Sequence, residues 1–382
     1  MENNQTGVAL DPERQKKARE YARIRRRMMV LELACNGVYA MVWILSGWSI
    51  SLRDWLLQYT RSDWLVVAGF VAVYGGIDVL ISLPLAYYGG FILPHRYGQS
   101  LQSLKEWILD GLKGLLISVP LGLLLIEAIY VILRSFPDTW WLWAAGLLLV
   151  VNVVVANLFP VLVAPLFNKY VPLGAEYAEL EARLLGLAHR VGTKVRGVYK
   201  FDMSRRTRAA NAALVGLGNT RRIILGDTLL NEFTSDEIET VMAHELAHQV
   251  HRDLPLGILV SSAVTLVGLF LASIALREAI SILGYQSVAD VAALPLFSIV
   301  MGAYSLVTMP LLNGFSRWRE GMADGYSLCM TGKNLAFASA MTRLANQNLA
   351  EVDPEAWVEF LLYSHPALGK RIAKANEQRE IK

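Results

Sequence analysis

The chain has 382 residues, 54% of them hydrophobic and only 18% charged, with a formal net charge of +3 at neutral pH. That composition speaks against an ordinary soluble globule, and so small a net charge says little by itself; its placement along the chain is what carries information. Residence in a bilayer is the class that remains.

The chain opens on a basic stretch, "RQKKAREYARIRRR", from Arg14 to Arg27. Apolar runs follow at Leu33–Leu52, Trp64–Leu93, Leu112–Leu133, Trp140–Phe167, Leu254–Leu283 and Ala292–Leu312. Each reaches the roughly 20 residues that cross a bilayer as a helix, so about six spans are expected. Lys and Arg cluster before the first run, while the loops after the first, third and fifth runs are short and nearly balanced. By the positive-inside rule both termini and the segment between the fourth and fifth spans lie in the cytoplasm. The basic start is then a topology signal, not a nucleic-acid arm. No cleavable signal peptide is expected, because the polar stretch is long and no small-residue cleavage site follows the first run. Asn4 matches a glycosylation acceptor, but on the cytoplasmic side it carries no weight. Cys35 and Cys329 stand in apolar surroundings and read as reduced, packed thiols.

Two polar regions flank the last two spans. Residues 168–253 and 317–382 are each small for a domain, and together they suffice for one core that the chain leaves and re-enters through a membrane hairpin. The expected organisation is therefore a basic segment 1–27, a membrane domain 28–167, a first part of the polar domain at 168–253, a hairpin 254–316, and a second part at 317–382. "GAEYAELEARLLGLAHRVG" has helical periodicity, and "VRGVYKFD", "NAALVGLG" and "RRIILG" read as short strands, the last two joined by a hairpin turn at "GLGNT". Thr234 and Glu237 form a capping-box pattern, so a helix should begin there. Asp353–Pro354 and Ser364–Pro366 mark two further helix starts.

That capped helix carries "VMAHELAHQVHRD". His244-Glu245-Leu246-Ala247-His248 is H-E-x-x-H: imidazoles four residues apart share a helix face and converge on one ion, while the glutamate, offset around the helix, reaches a water on the open side. Zinc is the expected metal, against a solvated helix that is merely rich in histidine. A catalytic zinc needs a third protein ligand and a vacancy. His251 is excluded by reach, standing about 10 Å along the axis from His244; it reads as a helix-end residue or one that stands behind a ligand. Glu320 and Asp324, four apart in "SRWREGMAD", can supply a ligand and a partner for an imidazole N–H. Two solvated carboxylates at a membrane exit would look the same. Asp78, Asp110, Lys113 and Glu127 fall within or beside apolar runs, where charge faces a wet interior or a partner; Asp110 and Lys113 are three apart and can pair.

"SRWREGMAD" and "MAHELAHQVHRD" resemble the metal motifs of the type I CAAX prenyl endopeptidases, integral-membrane zinc peptidases related to stress-induced bacterial membrane proteases. "SLPLAYYGGFILPHRYG", "LKEWILDGLKG", "APLFNKYVPL", "NAALVGLGNTRRIILGDTLL" and "SHPALGKRI" resemble further blocks in the same order, from about Leu80 to Ile372. The resemblance implies an α-helical multi-pass membrane protein with a cytoplasmic α+β zinc-metallopeptidase domain of the gluzincin kind. It implies His244, His248 and Glu320 as zinc ligands, Glu245 as general base and acid, and Asp324 behind a ligand. It implies an edge strand at Asn211, Ala212, Ala213 and Leu214 that holds substrate, with His365 and Arg371 near the metal. Its partners would be the bilayer and membrane-associated peptides or proteins, prenylated or not, and no nucleic acid. Its seat would be the plasma or inner membrane in a prokaryote and the endoplasmic reticulum in a eukaryote. The chain departs from the family in showing six apolar runs where seven are usual, and in "SRRTRAANAAL" before the edge strand. The competing class is a non-hydrolytic, zinc-stabilised membrane scaffold or permeation protein; Glu245, which a structural site does not need, speaks against it.

Overall fold

The computed structural model describes residues 8–216 and 221–380. Asn4 and most of the "GLGNT" turn, residues 217–220, lie outside them. Among the described residues six helical stretches are long and apolar enough to cross a bilayer. They are built from α1 (Pro12–Leu45), α3 (Asp63–Tyr87) continued through a π-helical turn into α4 (Leu93–Arg96), α5 (Leu104–Ser135), α6 (Trp140–Leu158), α10 (Asp253–Leu283) and α11 (Leu294–Thr331). A short α2 (Trp48–Tyr59) lies between the first two spans. Their outward faces are apolar: Leu80, Leu116 and Leu311 are 68%, 77% and 70% exposed. Such faces are at ease only against lipid. The molecule is a helical multi-pass membrane protein.

The first long helix begins earlier than its apolar run suggests. Asp11 caps α1, its carboxylate accepting the Glu13 and Arg14 N–H groups at 2.9 and 3.1 Å. The basic stretch forms the opening turns of this helix and is anchored at its outer end. Asp11 N–H donates to Asn346 Oδ1 at 3.1 Å, Arg14 donates to the Asn346 carbonyl at 3.0 Å, and Arg26 pairs with Glu351 at 2.9 Å. At the far end the apolar run hides a break: Gly47 adopts φ 73, which ends α1 and starts α2. Only glycine enters that left-handed region without steric cost.

Between the fourth and fifth spans the chain forms β1 (Tyr170–Pro172), α7 (Ala178–Arg190), β2 (Val198–Phe201), β3 (Ala212–Val215), β4 (Arg222–Gly226), α8 (Asp227–Glu232) and α9 (Ser235–Val250). After α11 come α12 (Asn334–Gln347), α13 (Ala356–Leu362) and α14 (Leu368–Glu380). The sheet order is β1-β2-β4-β3, with β2 and β4 parallel and both outer strands antiparallel to their neighbours. One apolar core joins the two polar regions: Leu184 and Leu187 of α7, Ile223 and Leu225 of β4, and Met242 and Leu246 of α9 pack with Phe337 and Met341 of α12 and Ala375 of α14.

Two of the charged groups flagged near the bilayer are placed by partners. Asp110 accepts from Gln102 at 2.6 Å and from Arg206 at 3.1 Å, with Lys113 at 3.6 Å, so α5 is tied to the segment before β3. Arg53 of α2 binds Asp290, whose other oxygen accepts the Ala292 N–H at 2.9 Å just ahead of α11. Both thiols are unpaired, and Cys329 is exposed on α11 instead of packed: it follows the last apolar turn and looks away from the core.

Candidate metal centre

The capping box forms as read. Thr234 Oγ1 accepts the Glu237 N–H at 3.3 Å, and Glu237 Oε2 accepts the Thr234 N–H at 2.7 Å. From this start α9 runs unbroken through both motif histidines to its cap at His251. His244 and His248 stand one turn apart, ring centroids 4.8 Å apart and nearly perpendicular. Their Nε2 atoms lie 3.2 Å from one another. α11 crosses α9 and brings Glu320 against both: Oε2 is 3.2 Å from His244 Nε2, and Oε1 is 3.5 Å from His248 Nε2.

These separations suit a cation. Zinc bonds of 2.0–2.2 Å at tetrahedral angles put ligand atoms about 3.3 Å apart. Glu320 is 7% exposed, and among the described residues its buried Oε2 has no hydrogen-bond donor. A buried carboxylate that turns each of its oxygens to an imidazole nitrogen, one of them without a donor, is well placed to be stabilised by a positive ion. The three side chains are a candidate metal site.

The backs of both rings are held alike. His244 Nδ1 lies 2.9 Å from Asp324 Oδ1, one turn beyond Glu320 on α11. Arg371 of α14 grips Asp324 with both ends of its guanidinium, Nε to Oδ2 at 2.9 Å and Nη2 to Oδ1 at 2.6 Å. His248 Nδ1 lies 2.7 Å from Asp253 Oδ2, and Arg319 Nε donates to Asp253 Oδ1 at 2.7 Å. Each imidazole thus has its Nδ1 on a carboxylate that an arginine fixes, which turns Nε2 to the centre and makes it a better donor to a metal. Arg371 therefore acts behind the ring and does not face the cluster.

Glu245, beside His244, has no hydrogen-bond or ion-pair partner among the described residues, and burial pushes its carboxyl above the ordinary range. His365, just ahead of α14, brings Nε2 to 3.4 Å from Glu320 Oε1 and keeps a side chain 60% exposed, so it borders the open side. β3, at the sheet's edge, packs beside α9. Ala212, Ala213 and Leu214 lie in it, and Asn211 just precedes it. His251 is the helix-end residue its position suggests, its ring edge-on to Tyr326 and its carbonyl accepting from Arg319 at 3.0 Å.

Asp253 and Arg319 went unread in the sequence. Asp253 is five residues past His248, a spacing that turns away on a straight helix. It returns because Arg252, at φ 55, folds the chain between α9 and α10. The adjacent charges of "HRD" were the one visible signal.

Comparison with known proteins agrees with this geometry. Residues 5–169 match the family model described as CAAX prenyl protease N-terminal, five membrane helices, and residues 175–379 match Peptidase family M48. An uncharacterized metalloprotease of Bacillus subtilis, YhfN, is 29% identical over 94% of this chain and 85% of its own length. CAAX prenyl protease 1 of Saccharomyces cerevisiae is 27% identical over 95% and 86%, and a CAAX prenyl protease 1 homolog of Dictyostelium discoideum is 32% identical over 79% and 71%. The crystal structure of S. mikatae Ste24p superposes with a TM-score of 0.82 over 97% of this chain and 91% of that one, at 24% identity, a likeness of fold. With both halves of the chain matched and a His-His-Glu cluster within the second, the chain belongs to peptidase family M48 and is a membrane metalloprotease.

Proposed function

We propose that this chain is a zinc endopeptidase that cuts membrane-associated proteins, with His244, His248 and Glu320 as metal ligands and Glu245 as the proton carrier. The observation that carries the reading is the convergence of three ligand atoms at 3.2–3.5 Å, with Glu245 unpartnered beside them. Zinc, when bound, polarises the scissile carbonyl and acidifies the attacking water. Glu245 takes the proton from that water and returns it to the leaving amine; a carboxyl raised by burial is suited to both transfers. His365, on the open side, donates to the carbonyl oxygen as it becomes an oxyanion. Asp324 and Arg371 keep His244 in its metal-binding tautomer. The edge of β3 receives the substrate as an added strand, so that main-chain bonds supply affinity. The basic outer end of α1 supports a cytoplasmic protease domain.

Two substrate classes fit: prenylated C-terminal segments, as the names of the yeast and Dictyostelium relatives suggest, and damaged membrane proteins. The test is cleavage of a quenched peptide by the purified zinc-loaded protein, with Glu245→Gln beside it. Activity in the parent and its loss in the variant, with zinc content equal, is expected. Equal activity in both, or none in either with zinc bound, overturns the proposal. A farnesylated peptide run against its unmodified copy separates the classes, since strict dependence on the lipid removes general turnover.

A further inference from the structure

β3 is the outer strand of the sheet, and the phase of its ladder fixes which of its residues look outward. Gly226 N–H donates to the Asn211 carbonyl at 2.9 Å, so these two form a hydrogen-bonded pair. The antiparallel register sets Ala213 opposite Ile224 and Val215 opposite Arg222, and alternation makes those pairs hydrogen-bonded as well. Ala212 and Leu214 therefore aim N–H and C=O away from β4. β4 gives an independent check: Ile223, opposite Leu214, turns its N–H the other way, to the Gly197 carbonyl at 3.2 Å.

Ala210 has the same outward phase, and its rung is taken. Its N–H donates to Asn348 Oδ1 at 2.8 Å, and its carbonyl accepts from Asn348 Nδ2 at 3.2 Å. A carboxamide carries one donor and one acceptor, as a peptide group does, so this side chain stands where the next residue of an added strand would stand. It is held firmly. Asn348 caps α12, its N–H on the Leu344 carbonyl at 2.9 Å, and the buried Leu349 that follows takes φ 47 while Ala350 N–H closes on Ala345 at 3.0 Å. The neighbouring Gln347 donates to the Arg208 carbonyl at 2.9 Å. At the other end β3 stops at Val215, where Gly216 turns off at φ 91. Among the described residues nothing pairs with the outward groups of Ala212 and Leu214.

We infer that Asn348 sets the register and length of the substrate strand: an extended peptide pairs with Ala212 and Leu214 alone and must end, bend or depart at Ala210. The inference rests on the edge-strand reading proposed above. It names a substrate feature read through the backbone. Two substrate amides, two residues apart, must be free N–H groups, so proline or an N-methyl residue at either is rejected.

The test uses the full-length zinc-loaded protein and quenched peptides lengthened residue by residue on each side of the scissile bond, with an N-methyl scan of the longest. In the parent, N-methylation is expected to raise KM at two positions two residues apart, and kcat/KM stops rising with length beyond them. In Asn348→Ala the Ala210 rung opens. A third sensitive amide appears two residues further on, and kcat/KM of the longer peptides rises by about five- to a hundredfold relative to the shorter ones, as one more pair of hydrogen bonds would give. If the two sensitive positions are present and the folded variant, matched to the parent in Tm, shows neither change, the role of Asn348 is overturned while the edge strand stands. If no amide is sensitive, both fall. Should Asn348→Ala fail to fold, the parent decides alone: a third sensitive amide at the next two-residue step overturns the inference.

Discussion

Replacing Asp253 by alanine separates two roles that one carboxylate performs. Asp253 bonds His248 Nδ1 at 2.7 Å and also neutralises Arg319, and its side chain is 14% exposed against 10% for the arginine. Loss of such a partner to a ligand histidine costs about 10–100-fold in metal affinity, roughly 1.4–2.7 kcal/mol. Removing one member of a buried pair costs up to about 5 kcal/mol, and the residual exposure here brings the expected loss of stability to about 2–3 kcal/mol. The double variant Asp253→Ala/Arg319→Leu parts the two effects. Without the stranded guanidinium most of the stability returns, whereas His248 still has no acceptor behind it and zinc affinity stays low. Zinc affinity is read by competition with a chromogenic chelator, and stability by thermal unfolding of the zinc-free protein in detergent. Zinc binding within twofold of the parent in Asp253→Ala, or recovered affinity in the double variant, would refute the idea that this carboxylate orients the ligand.

Acid should loosen the protease domain at one identifiable place. Asp236 and Glu239 of α9 share Arg183 of α7 and Lys333 ahead of α12, with Arg190 3.7 Å from Glu239. Hydrogen bonds from Lys333 and Arg183 hold Asp236 below the usual carboxylate value; burial pushes Glu239 up, but the same bonds outweigh it. Both folded values are lowered, so their contribution is complete above the unfolded range near pH 4 and is lost as pH falls through the lowered values. Lys333→Met should therefore flatten Tm against pH below about pH 4, and an unchanged slope would refute the assignment. Thr234→Ala removes the cap of α9 and should cost about 1 kcal/mol in denaturant unfolding of the protein; no loss would mean that packing alone starts the helix.

What could be read from the sequence was local. His244 and His248, and Glu320 and Asp324, are each four apart on one helix, and that spacing fixes a shared face before any tertiary structure is known. Asp253 obeys no such period, because its place depends on a single left-handed residue. Asn348 meets Ala210 across 138 positions of chain, and nothing in either neighbourhood announces it. β1 is three residues long and ends in proline, too little for an alternating pattern. The first helix, Pro12–Leu45, and the apolar run Leu33–Leu52 differ at both ends for one reason: hydropathy measures where lipid is tolerated, whereas a helix runs as far as its backbone permits, back through a basic stretch and no further than Gly47.

The candidate metal cluster is divided by the hairpin of α10 and α11. Two of the three candidate ligands precede the membrane hairpin, and Glu320 follows it on the unbroken 38-residue α11. A chain whose synthesis has not reached α11 offers only the two histidines. If the three residues share an ion, docking of α11 on α9 is what completes its site, and a centre of that kind is expected only once the hairpin has been received by the bilayer.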